Sequence, residues 1–270
     1  MKSKKVVFVT GASSGMGRAI SLFLAQKGFI VYAGTRTPSK LLDIESESLH
    51  PIELDITNSK EVSKSIERID KIDILINNAG YGLVSTVESL DEEEMFNQFN
   101  INVFGLLRVS KAIIPKMRRE RGGVIINISS FLGKIGLPLL TMYNSSKYAV
   151  EGITDSLRYE LRDFGIRVHS IMPGFFDTEF ARSNLVTNLE TFDKNSPYSK
   201  MVSNLAPIIV EQINRGNDAK EVARMVLSII EDDKFPARVT VGDKASKFIP
   251  MRRELSDEDF ERRVREYYNL

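Results

Sequence analysis

Tyr143 and Lys147 stand four residues apart in a stretch with helical periodicity, so their side chains lie on one face, one turn from each other. A free tyrosine titrates near ~10 and is a poor base at neutral pH. An ammonium beside it, together with the positive ring of an oxidised nicotinamide, favours the phenolate and lowers that value. Such a tyrosine can exchange a proton with an alcohol or carbonyl oxygen while hydride moves to or from a nicotinamide. A second constellation lies near the start of the chain: Thr10-Gly11-Ala12-Ser13-Ser14-Gly15-Met16-Gly17. Glycines let a chain turn tightly and bring backbone N–H groups up to a pyrophosphate. The helix that follows adds unpaired N–H groups and a favourable dipole. Gly11, Ser13, Ser14, Gly15, Met16 and Gly17 are therefore candidate cofactor contacts.

The choice of dinucleotide turns on the end of the second apolar run. A carboxylate there would accept bonds from the 2′-hydroxyl of NAD and repel a 2′-phosphate. The sequence instead reads Gly34-Thr35-Arg36-Thr37. Arg36 can pair with a phosphate through its planar fork, and Ser13 and Thr35 can add hydroxyl contacts. NADP(H) is expected over NAD(H). Competing chemistry finds little support. With no cysteine, thiolate zinc sites, disulfides and a cysteine nucleophile are excluded. The two histidines, His50 and His169, are read as structural, and no cluster has metal-ligand spacing.

These residues need a scaffold, and the apolar pattern supplies one. Val6–Thr10, Ile30–Ala33, Ile52–Leu54, Ile72–Ile76, Val124–Ile128, Arg167–Ile171 and Arg238–Val241 read as strands. Between them Met16–Lys27, a stretch capped by Asn58, Asp91–Lys116, Thr141–Phe164 and Ala219–Glu231 read as helices. Continuous apolar strands alternating with amphipathic helices predict an α/β fold, a doubly wound, Rossmann-type parallel sheet in a three-layer single domain spanning 1–270. Residues 175–217 break the pattern and read as an irregular substrate loop or lid. The tail 256–268 reads as a capped amphipathic helix with a solvated Arg/Glu face. A net charge of +1 gives no reason to expect nucleic acid as partner. No segment approaches the ~18 apolar residues of a membrane span, and a cytoplasmic protein is expected.

The glycine spacing, Gly-x-x-x-Gly-x-Gly, resembles that of the short-chain dehydrogenase/reductase family, and further pieces of that family's pattern follow in order between about residue 5 and residue 180. The resemblance implies that Asp55, with Ile56 beside it, contacts adenine. It likewise implies that Asn78-Ala79-Gly80 closes the adenosine-ribose pocket, and that Pro173-Gly174 with Thr178 covers the nicotinamide. It makes Tyr143 the catalytic acid/base and gives Lys147 a second task at the nicotinamide ribose. Ser130, thirteen residues before Tyr143, matches the serine that holds the substrate oxygen and stabilises developing charge there. Its neighbour Ser129 fits the spacing less well. Asn102 matches the asparagine that supports the lysine and a water-linked proton path.

The family's pocket is built from loops after the fourth to sixth strands. Here they bring Tyr81, Leu83, Phe131, Leu132, Ile135, Leu137, Leu140, Phe175, Phe176 and Phe180. Such a lining suits an apolar or aromatic alcohol or ketone, with Ser130, Tyr143 and Phe175 as substrate contacts. Similarity to hydroxysteroid and retinol dehydrogenases within the family is weaker. An NAD-linked alcohol dehydrogenase is the second enzyme reading, which Arg36 opposes. A non-enzymatic dinucleotide sensor is the third, and the intact Asn-Ser-Tyr-Lys set opposes it. By resemblance a homodimer or homotetramer would form through the helices near 91–117 and 141–163.

Overall fold

The computed structural model describes residues 4–178 and 184–270. Val6–Thr10 (β1) runs through the middle of a seven-stranded sheet. Its neighbours are Ile30–Thr35 (β2), Leu49–Glu53 (β3), Ile74–Asn77 (β4), Gly123–Ile128 (β6), Ile166–Pro173 (β7) and Arg238–Val241 (β9). The strand order is β3-β2-β1-β4-β6-β7-β9, and every pairing is parallel. The order reverses beside β1, so a crevice opens at the carboxyl ends of β1 and β4, where such sheets take their ligands.

Alternation along each strand sends side chains to two helical layers. Val7 and Val9 pack with Ile20 and Leu24 of Gly15–Gln26 (α1) and Val226 of Lys220–Glu231 (α7). Phe8, between those valines, faces the opposite layer with Leu75 and Ile125. That layer holds Ser59–Glu67 (α2), Leu106–Arg119 (α4) and Thr141–Leu161 (α5). The doubly wound sheet is thus the observed fold. Asn58 caps α2 as expected, its side chain accepting from the N–H groups of Lys60 and Glu61.

The helical reading of Asp91–Lys116 is interrupted. Glu92–Phe99 (α3) passes through a wider π turn at Asn100–Gly105 before α4 begins. Gly105 fits there because a Cβ would stand 2.5 Å from Cδ1 of Ile56.

The described residues of the 175–217 segment are not wholly irregular. They contain Leu185–Thr187 (β8), which pairs in parallel with Gly82–Val84 (β5), and a sixteen-residue helix, Ser199–Asn214 (α6). Pro207 and the polar residues around it masked this helix in the sequence. Its stability comes from burying Val202, Leu205, Ile209 and Ile213, a spacing of three and four. A further helix, Asp243–Glu254 (α8), follows β9, and the expected C-terminal helix is Asp257–Tyr268 (α9), capped by Ser256. Among the described residues no helix is long and apolar enough to cross a membrane.

Candidate active site

α5 brings Tyr143 and Lys147 to the carboxyl end of β6. Lys147 is only 6% exposed, its Nζ donates to the carbonyl of Ile128 at 2.9 Å, and it lies 5.7 Å from the centre of the Tyr143 ring. Ser130 is buried two residues beyond β6. Its hydroxyl accepts the N–H of Leu132 at 3.1 Å and shares a hydrogen bond with the Tyr143 side chain. Serine, tyrosine and lysine therefore meet as the spacing predicts.

Asn102 lies in the π turn, 2% exposed. Its Nδ2 donates to the carbonyl of Tyr81 at 2.9 Å and to Oγ of Ser146 at 3.0 Å, while its Oδ1 accepts the N–H of Tyr81 at 3.0 Å. It makes no direct bond to Lys147; its tie to the lysine runs through the preceding residue, Ser146. Asn102 thus fastens the loop after β4 to the helix that carries the tyrosine.

Electrostatics differ from expectation in one respect. Burial pushes the Tyr143 phenol up to about 12, and the opposing influence is the hydrogen bond from Ser130 rather than Lys147. The ammonium bonds the Ile128 carbonyl and stands 5.7 Å from the ring centre, while Ser130 hydrogen-bonds the phenol itself. Burial lowers Lys147 itself to about 8, against the pull of Glu151 one turn farther along α5. At neutral pH the pair is a protonated phenol beside an ammonium, a state suited to giving a proton away.

The glycine turn is held from both sides. Asn78 Nδ2 donates to the carbonyls of Thr10 and Gly11 at 3.0 and 3.1 Å, and the Thr10 hydroxyl accepts the N–H groups of Asn78 and Ala79. Gly11 has φ +66°, and a Cβ on it would stand 2.7 Å from Cα of Ala79. At Gly17 the same atom would lie 2.3 Å from the Gly11 carbonyl. Ser14 is the N-cap of α1 but makes no side-chain capping bond, and no acid occupies the first turn. That leaves backbone donors for an anion, so the residues fit a dinucleotide's phosphates.

Around this turn the structure gathers most of the expected contacts. Gly15 lies against Thr178, whose Cβ would be 3.3 Å from an added methyl group. Gly80 abuts Asn102 Oδ1. Thr35 is buried at the end of β2, its hydroxyl accepting the Thr37 N–H at 3.1 Å, and Arg36 beside it is exposed. Asp55 Oδ1 accepts both the N–H and the hydroxyl of Thr57, at 2.8 and 2.7 Å. Ile56 packs against Gly105. His169 bonds the Pro236 carbonyl at 2.9 Å and His50 packs on Tyr32, both structural placements.

Beside the tyrosine is a cavity of about 200 Å³. Phe131, Leu132, Leu140, Phe175 and Phe176 line it as expected. Tyr81, Leu83, Ile135 and Leu137 do not, and Phe180 lies outside the described residues. Ser129 also borders the cavity with its buried Oγ unpaired. The sequence reading gave the segment 175–217 to the substrate but singled out none of its α6 residues that line the cavity, Ala206, Ile209, Val210 and Ile213. The signal was the spacing of those four positions, hidden by Pro207.

The profile of the short chain dehydrogenase family matches residues 5–188. The chain belongs to that family. Within it, this dehydrogenase is 34% identical over 242 residues to a 3-ketodihydrosphingosine reductase of Bacteroides thetaiotaomicron, covering 88% of each chain. A short-chain dehydrogenase from Streptomyces avermitilis superposes with a TM-score of 0.84 at 28% identity, covering 99% of this chain and 97% of that one. One from Burkholderia cenocepacia, solved in complex with NADP, gives 0.77 at 28% identity over 97% of this chain and 98% of its own. As a member of this family the protein is an oxidoreductase.

Proposed function

We propose that the protein reduces an apolar or aromatic ketone to a secondary alcohol with NADPH, reversibly. The reading rests on one observation: Ser130 and Tyr143 open into the same cavity as Met16 of the glycine turn and Pro173, Gly174 and Thr178. Cofactor cradle and apolar pocket are thus continuous at the phenol. Gly11, Gly15 and Gly17 with the α1 N-terminus would hold the pyrophosphate, Arg36 and Thr35 the 2′-phosphate, and Lys147 the nicotinamide ribose. When bound there, NADPH would supply the hydride for the carbonyl carbon. Ser130 holds the carbonyl oxygen, and Tyr143 gives it the phenol proton as charge develops there. Lys147 offsets the charge left on the phenolate, and Asn102 keeps the loop and α5 in register for proton return. The NADP complex of the Burkholderia relative and the ketone named for the Bacteroides relative support cofactor and reaction type.

Exposed Phe104 and Leu107 near the start of α4, with Tyr148 and Tyr159 on α5, support pairing of copies through these helices. The decisive experiment is a panel of ketones and alcohols followed by NADPH absorbance, with NADH in parallel, on wild type and Tyr143→Phe. Turnover is expected with wild type and lost in the variant, with NADPH binding kept. Turnover surviving in Tyr143→Phe removes the tyrosine from its role.

A further inference from the structure

The tail that reads in sequence as a solvated amphipathic helix has a buried side with a definite target. Tyr268, the last residue of α9, is 0% exposed. Its ring stacks on Phe248 of α8, with centroids 6.1 Å apart and planes 13° apart. Phe248, also fully buried, lies 6.2 Å from Phe131, and Phe131 meets Phe175 edge-on at 5.3 Å. Phe131 and Phe175 are walls of the cavity. A row of four rings thus runs from the substrate pocket to the last residue of α9.

The same segment also reaches the α6 wall. The Tyr268 hydroxyl lies 3.5 Å from Oε1 of Gln212, and the carbonyl of Asn269 accepts Nδ2 of Asn204 at 3.1 Å. Gln212 and Asn204 belong to α6, whose Ile209 and Ile213 face the cavity. Tyr267 adds an edge contact to Phe248 at 5.1 Å, and its hydroxyl bonds Lys244. Aromatic rings in a packed core hold position because each fills the space left by its neighbours, so removing one lets the row relax.

We propose that α9 is a specificity element of the substrate pocket, in which Tyr268 fixes the separation between the Phe131–Phe175 wall and the α6 wall and so sets how bulky a ketone substituent is accepted. Tyr268 does not line the cavity; it is a positioning residue, and the proposal rests on the pocket assigned above.

The test uses the full chain and a fluorescent aryl methyl ketone, 2-acetyl-6-(dimethylamino)naphthalene, beside butan-2-one. Binding of the fluorophore is read from its blue-shifted emission without turnover, and KM and kcat with NADPH are read for both ketones. Tyr268→Ala is expected to change the ratio of the two KM values at least fivefold and the fluorophore Kd by a similar factor. The Kd for NADPH should stay within twofold and kcat within threefold. Tyr268→Phe keeps the ring and should keep the wild-type ratio. Should Tyr268→Ala fail to fold, Tyr268→Leu retains an apolar filler and still removes the stacked ring. An unchanged ratio and unchanged fluorophore Kd in a folded variant overturn the proposal, as does an equal loss of affinity for both ketones and NADPH. If wild type turns over neither ketone, the reductase assignment fails while the fluorophore arm still decides the role of Tyr268.

Discussion

Lys147 Nζ donates to the carbonyl of Ile128 at 2.9 Å while standing 5.7 Å from the centre of the Tyr143 ring. One cation is thereby tied to the end of β6 and to the face of the phenol together. Burial lowers it from 10.5 to about 8, so in the fold it holds its proton less tightly than in the unfolded chain. Between these values the unfolded state binds more protons, and stability rises with pH. Below pH 8 the buried charge costs on the order of 3 kcal/mol.

Lys147→Met removes that dependence. Its stability relative to wild type should be greatest at pH 7 and decline as pH rises from 8 toward 10. Urea denaturation at several pH values reads this directly. A constant difference across that window contradicts a lowered lysine.

Glycine substitutions separate the cradle from the rest of the fold. Gly17→Ala, with its methyl 2.3 Å from the Gly11 carbonyl, should lose at least ~2 kcal/mol and weaken NADPH binding more than tenfold. Gly11→Ala should behave similarly, since φ +66° adds strain. Gly152→Ala, in α5 with nothing within 4 Å of the added methyl, should stabilise by about 0.5–1 kcal/mol. Thermal unfolding and NADPH fluorescence check all three.

Arg36 decides the dinucleotide in the proposed reading. Arg36→Ala should raise KM for NADPH roughly tenfold to a hundredfold, the worth of a charge-assisted phosphate contact, and leave NADH within twofold. Its exposure means little change in thermal stability. An equal rise for both cofactors contradicts the NADP(H) assignment.

Asn102→Ala would leave the Tyr81 N–H without its partner and the Tyr81 carbonyl with Gln98 Nε2 alone. A loss of about 2–3 kcal/mol is expected, with kcat reduced at least tenfold and NADPH affinity less affected. Unfolding in urea and steady-state kinetics measure the two parts. A variant that is stable but fully active would confine Asn102 to no role at all.

Much of this architecture was legible in the chain. Val6–Val9 and Val124–Ile126 are uninterrupted apolar runs because parallel strands are buried on both faces, and the glycines between β1 and α1 can be read from spacing alone. Tyr143 and Lys147 share a face because helical geometry is local. Other features were set by tertiary contacts. α6 carries a proline and forms because Ile209 and Ile213 find an apolar partner surface. The Tyr143 phenol is governed by burial and by Ser130, a neighbour thirteen residues away in sequence but one hydrogen bond away in space. Tyr268 becomes a core residue only when Phe248 lies beneath it. Residue order encodes period and turn chemistry, which act over a few positions. Burial and the alignment of rings across distant segments depend on which surfaces meet, and only the folded chain decides that.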